Sequence, residues 1–262
     1  MSPTGSPRFA RLVPLMLALG ASALHAEERL PAIDPDADAR LRVMSEHLAA
    51  LPAARVDIDT DVEAIDLAGQ KLQYSASMQL SMQRPNRLRV ERRGPFAESQ
   101  LLFDGKTLRI SSLEPPVFTE VTAPGDIETA VRALRYETGL DAPAGDFFFA
   151  DPYAGLMTDV LSGADLGTAF VDGVECHHLA FRAKHVDWQF WIQVGEQPLP
   201  MKYVITSKWI AGAPQFTARF RNWDVAPDFA AETFTAPLPA GAVRLDQIPV
   251  NAVGELMPAQ EQ

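Results

Sequence analysis

From Leu72 to Gln83 the chain reads LQYSASMQLSMQ, twelve residues in which apolar and polar side chains alternate without a break. Successive side chains of a strand point to opposite faces, so Leu72, Tyr74, Ala76, Met78, Leu80 and Met82 share one face. Gln73, Ser75, Ser77, Gln79, Ser81 and Gln83 share the other. At roughly 3.3 Å per residue the strand is about 40 Å long, well beyond the usual length. So long an apolar face needs a cover, which is either a packed core or a guest.

Around this strand the sequence predicts a helix over Asp34–Leu51, with Leu41, Met44, Leu48 and Leu51 on one face and Pro52 as its stop. About six strands follow, including a hairpin turned by Asp104-Gly105-Lys106. The pattern then changes to helix: Asp126–Tyr136, capped by Asp126 and ended by Gly139, and two short pieces in Asp146–Leu161 split at Pro152. About five more strands run from Ala164 to Val225. The reading is α+β: one curved antiparallel sheet of about eleven strands, an unclosed half-barrel, covered by the N-terminal helix and an inserted helical lid. Residues 27–246 form this single domain. Residues 247–262 read as a flexible tail.

Residues 1–26 have the pattern of a cleaved secretory signal: Arg8 and Arg11, an apolar Leu12–Leu19, then small residues up to Ala26. An uncleaved anchor or a buried helix are the alternatives. Without the leader, basic residues fall from 23 to 21 against 34 acids, a net charge of −13. Such a chain is a poor partner for nucleic acid or anionic headgroups. No later apolar run reaches membrane-spanning length, so stable membrane insertion is not expected. Cys176 is the only cysteine, which excludes an internal disulfide.

Several segments resemble a known family. Arg84-Pro85-Asn86 after the long strand, the Asp104-Gly105-Lys106-Thr107-Leu108 hairpin and the Glu232–Asp246 segment are similar to those of periplasmic lipoprotein carriers of the Lol type. DGVECHHLAF and DWQFWIQVGEQPLPMKYVIT are closer to an uncharacterised periplasmic family, domain of unknown function 2092, itself similar to the carriers and their receptor. The resemblance implies a half-barrel whose lid covers a hydrophobic cavity for acyl chains. It also implies that Arg84 lies inside and hydrogen-bonds the lid closed. The acceptors expected nearest to it, from the first inserted helix and the Asp146 segment, are carbonyls at helix ends, Glu137, Asp146 and Asp151. Arg84 has the parity of Leu72–Met82 and points inward if the strand is unbroken; a bulge at Pro85 would turn it to solvent. The chain departs from the carriers in length, in Trp188-Gln189-Phe190-Trp191 and in the helix around Tyr153.

The expected partner is an acyl chain, a lipid or a lipidated protein, with no cofactor. The expected lining is Leu72, Tyr74, Met78, Leu80, Met82, Leu88, Val90, Phe148, Trp188 and Phe190, with Arg84 as latch. Trp188 and Phe190 read equally as sheet core. Of Phe147, Phe148 and Phe149, at least one should meet the guest space or the surface, because three adjacent rings cannot share one helical face. Burying a CH₂ contributes roughly 0.8 kcal/mol, so an acyl chain binds without any catalytic group. The competing reading is an interaction protein with the same fold and a filled core. Weaker alternatives are a metal site at Cys176, His177, His178 and His185, with His177 pointing to the other face, or a hydrolase using His178 or His185 as base. Zinc wants about four ligands, and the sequence has no nucleophile elbow and no phosphate loop.

Overall fold

The computed structural model describes residues 32–238, 240–251 and 256. The signal segment and much of the C-terminal tail lie outside these residues. Helix α1 (Pro35–Ala50) starts where Asp34 accepts the backbone N–H of Asp36, with Pro35 in its first turn. Its buried face is Leu41, Met44 and Leu48, as the spacing predicts.

The strands are β1 (Ala53–Ile65), β2 (Lys71–Gln83), β3 (Arg87–Arg93), β4 (Glu98–Phe103), β5 (Thr107–Ser112), β6 (Val117–Thr122), β7 (Val160–Val171), β8 (Val174–Ala183), β9 (Val186–Gln193), β10 (Pro200–Ser207), β11 (Gln215–Asp224) and β12 (Val243–Arg244). They form one sheet in the order β12-β6-β5-β4-β3-β2-β1-β11-β10-β9-β8-β7. It is unclosed, with β12 and β7 at its edges. Every pairing is antiparallel except β12 on β6, a parallel edge strand that the sequence reading missed.

Between β6 and β7 lies the lid. Helix α2 (Ile127–Ala133) is capped by Asp126 and passes into a π-turn over Leu134–Thr138, which ends at Gly139 with φ +73°. A 3₁₀ turn (Gly145–Phe148) and helix α3 (Pro152–Leu156) complete it. Arg135 ties the pieces together through Asp146 Oδ1 (2.9 Å) and the Ala142 carbonyl (2.6 Å). Tyr153 joins α3 to α1 by a hydrogen bond to Asp38, and Arg42 of α1 lies 3.9 Å from its ring centroid.

On β2 the alternation fixes the register. Leu80 and Met82 are buried on the lid side, and Leu72, Tyr74 and Met78 are half-buried there. Gln73, Ser77 and Gln79 are exposed on the outer face. That outer face is a polar ladder: Ser75, Ser77 and Gln79 donate to Asp61, Asp59 and Asp57 of β1 at 2.5, 2.7 and 2.9 Å. The hydrogen bonds from Asn222 and Gln79 hold the Asp57 carboxyl below the usual carboxylate range.

After β11 the chain crosses the outer face as a strap. Arg55, Ser81, Arg89, Leu102 and Arg109 form one outward row across β1–β5. Arg89 donates to the Thr233 carbonyl at 2.9 Å, Arg109 donates to the Ala236 carbonyl, and Arg55 stacks against the Phe229 ring. This covering explains why Ser81 and Leu102 are buried on what is otherwise the wet side.

Part of the segment expected as a tail lies among the described residues. Ile248 and Leu256 are each 6% exposed and belong to the main core, with Val250 packed against it. These apolar side chains have no periodicity of their own, and joining the main core is what places them.

Candidate functional site

Arg84 lies inside. The strand parity holds through the end of β2, and the Arg84 N–H donates to the Pro52 carbonyl. Its guanidinium makes two charge-assisted hydrogen bonds. Nη1 donates to the Phe148 carbonyl of the lid at 3.0 Å, and Nη2 donates to the Leu48 carbonyl of α1 at 3.2 Å. Both acceptors stand at helix ends, where the last carbonyls have no partner within the helix. Burial pulls the Arg84 pKa down, and the nearby Asp126 carboxylate opposes this. Nε is buried with no partner among the described residues.

Of the acceptors expected for Arg84, a helix-end carbonyl of the lid is used and the carboxylates are not. Asp146 is paired with Arg135, and Asp151 caps α3 through the Ala154 N–H. Glu137 instead lines a separate open hollow of about 540 Å³ between the π-turn and Gln247–Val250. The carbonyls were legible only as helix ends, and Asp126 only as a cap.

Beside the guanidinium is a cavity of about 150 Å³, walled by Ala49, Pro85, Asp126, Ile127, Phe148 and Ala150 among others. The hollow is half open to solvent, and Glu128 also stands in its wall.

Two of the segments that carry the resemblance, Arg84-Pro85-Asn86 and the Asp104–Leu108 hairpin, meet here. The Ile127 N–H at the start of α2 donates to the Pro85 carbonyl (3.1 Å), and the Gly125 N–H donates to the Gly105 carbonyl (3.1 Å). Gly105 has φ +90°, and a Cβ there would overlap the Asn86 side-chain amide. Asp104 Oδ1 accepts the N–H groups of Lys106 and Thr107 at 2.9 and 2.8 Å. Two turns thus seat the N-terminus of the lid helix and present Arg84 beneath it.

The remaining expected residues divide into two groups. Leu72, Tyr74, Met78, Leu80, Met82, Leu88 and Val90 lie on the inner face of β2 and β3. Trp188 and Phe190 also face inward, but they sit within an aromatic cluster around Phe147. Phe148 lines the cavity, while Phe147 and Phe149 are buried in the core. Three adjacent rings can all leave the surface because the segment is a 3₁₀ turn running into extended backbone at Phe149, not one α-helix.

Cys176, His178 and His185 do not converge. Cys176 is buried in a small outer cluster with Val171 and Met201, and burial pushes its thiol up to about 11. His178 stacks on Trp191 with ring centroids 4.1 Å apart and is hydrogen-bonded to Gln189 at 2.9 Å. His185 is exposed in the following turn. Among the described residues no group of three His, Cys, Asp or Glu side chains is placed to hold a metal ion. No helix among them is long and apolar enough to cross a membrane.

Solved structures of similar shape include an uncharacterized conserved protein from Thermus thermophilus (9% identity, 80% of this chain and 99% of that one, TM-score 0.49). They also include the lipoprotein LppX from Mycobacterium tuberculosis (14%, 74% and 98%, TM-score 0.39). A LolA superfamily protein from Nitrosomonas europaea is a third (12%, 76% and 97%, TM-score 0.35). No curated protein matches the chain. Residues 37–247 match the model of a family described as predicted periplasmic protein, domain of unknown function 2092, and the chain belongs to that family.

Proposed function

We propose that this is a periplasmic binding or carrier protein, without catalytic chemistry, that holds an acyl chain, a lipid or the lipid of a lipidated protein between the inner face of β1–β6 and the lid. The observation that carries the reading is Arg84. A guanidinium among apolar side chains costs free energy unless its donors are paired. Here two carbonyls from different covering elements, α1 and the 3₁₀ turn, pair it beside a small cavity. Closing the lid satisfies Arg84, and a guest must break those contacts to enter. Exchange of two charge-assisted hydrogen bonds for apolar burial makes binding reversible.

The test is saturable binding of the neutral apolar probe 1-N-phenylnaphthylamine, in wild type and in Met78→Trp. A single site that the larger ring weakens supports the carrier. Absence of saturable binding favours a second reading, an interaction protein with a filled core. That reading has an observation of its own: Phe147 packs against Phe190, Tyr203 and Phe220 with centroid distances of 5.1, 5.1 and 5.6 Å.

A further inference from the structure

The charge pattern of the inner face points to the chemistry of the guest. In β1–β6 the register puts every acid outside: Asp57, Asp59, Asp61 and Glu63 on β1, Glu91 on β3, Glu98 on β4 and Glu120 on β6. Arg55, Lys71, Arg87, Arg89, Arg93 and Arg109 are outside with them. One charged side chain of these six strands faces inward, Arg92. It stands in the row Ile58, Met78, Arg92, Ser99, Ser112. The adjoining row, Val56, Leu80, Val90, Leu101, Ile110, is wholly apolar. In a chain of net charge −11, strands that turn no acid and only one guanidinium inward, at a distance from Arg84, are a selective place for an anion.

Position supports the same reading. Arg92 is half-buried near the end of β3, and a Cβ on Gly94 would overlap its guanidinium. The side chain therefore lies toward the β3–β4 turn, at the opposite end of the sheet from Arg84. From Met78, which Arg92 opposes, six residues of β2 lead to Arg84, about 20 Å of mostly apolar face. Arg92 has a partner of its own in this structure. Its five donors and planar fork let an incoming phosphate or carboxylate share or replace that partner without leaving the cation bare.

Resting on the carrier reading, we propose that the guest is an anionic amphiphile. Its phosphate or carboxylate pairs with Arg92 beside the Ser99 hydroxyl, and its chain runs along Met78, Leu80 and Val90 toward the Arg84 latch.

The experiment compares three ligands with the same twelve-carbon chain, dodecyl phosphate, dodecanoate and dodecanol, by displacement of 1-N-phenylnaphthylamine below their micellar concentrations. Wild type is expected to bind an anion at least tenfold more tightly than the alcohol. Arg92→Gln brings that ratio to within about twofold while leaving dodecanol binding unchanged, which also shows that the variant is folded. Arg92→Lys keeps part of the preference, and the outward Arg93→Gln keeps all of it. Preference for phosphate over dodecanoate assigns a phospholipid-type head, and the reverse assigns a fatty acid; either supports the proposal. Equal binding of anion and alcohol by wild type, or a preference that survives Arg92→Gln, overturns the headgroup site and leaves the carrier standing. Failure of all three ligands to bind overturns the carrier reading, and the headgroup site with it.

Discussion

Under β8–β11 the inner face is aromatic, with Phe181, Trp188, Phe190, Tyr203 and Phe220 interlocked around the Phe147 ring. Burial there is complete enough to push the Tyr203 pKa well up. Under β2–β4 the inner face is mainly aliphatic, with Met78, Leu80, Met82, Leu88, Val90 and Leu101, and holds only the separate rings of Tyr74 and Phe103. Met78, Val90 and Leu101 of that wing are only half-buried. Rigid rings packed edge to face define one arrangement, whereas unbranched thioethers adapt to what lies on them. One sheet thus carries a finished core on one wing and an adaptable surface on the other. On the proposed carrier reading, the apolar face covers a core on one side of β1 and a guest on the other.

The sharpest break between the wings is in stability. Phe147→Ala should destabilise by about 3–5 kcal/mol, the usual cost of emptying a packed aromatic site. Met78→Ala, at a half-buried position, should cost about 1 kcal/mol. Denaturant midpoints measure both, and equal costs would mean that the aliphatic wing is as fully packed as the aromatic one.

Binding should invert that ranking. Met78→Trp is expected to weaken 1-N-phenylnaphthylamine at least tenfold, a loss of about 1.4 kcal/mol or more. A substitution of similar bulk on the outer face, Ser77→Trp, should leave it unchanged. If the two variants bind alike, the aliphatic inner face is not where the probe sits.

The latch gives a kinetic effect. Arg84→Leu removes the contacts with Leu48 and Phe148 that compete with a guest. The probe should then leave several-fold more slowly in stopped-flow displacement. An unchanged off-rate removes the latch.

The smallest effect belongs to the aromatic wing. His177 on β8 faces the Arg40 guanidinium of α1, with Asp165 paired to Arg40 at 2.7 Å and Glu175 nearby. Burial, then the Arg40 charge, lowers the His177 pKa. The folded state therefore takes up this proton at lower pH than the unfolded chain, whose His titrates near 6.5. Stability from this group is whole above pH 6.5 and falls as pH drops toward 5. Thermal unfolding from pH 7 to 5 should show that decline, and His177→Gln should make it shallower. The lowered carboxyls Asp57, Asp104 and Asp126 lose their contribution only below about pH 4.

Much of this was legible before any coordinates. Alternation in β2 gave the face of each residue, and carried to Arg84 it gave the inward guanidinium. What it could not give was the partner. The expected acceptors were carbonyls at helix ends and the carboxylates Glu137, Asp146 and Asp151; the Phe148 carbonyl is of the first kind, whereas the Leu48 carbonyl, on the N-terminal helix and without a side-chain signature, was not expected. The strap was missed for the same reason. The backbone and ring that Arg55, Arg89 and Arg109 hold lie more than a hundred residues downstream in a stretch with no period. Ile248 and Leu256 read as tail because isolated apolar residues among prolines have no pattern of their own; tertiary burial alone places them. Phe147, Phe148 and Phe149 were read on a helical wheel, and the backbone there is not an α-helix.

Native mass spectrometry of the protein purified from the periplasm of a producing bacterium tests the central claim most directly. With an adaptable apolar face under a latched lid, the spectrum should contain a species heavier than the bare chain by one amphiphile, and that species should be depleted in Met78→Trp. A spectrum of bare chain alone, from protein that also fails to bind 1-N-phenylnaphthylamine saturably, would contradict the carrier and leave a sheet whose two wings are both core.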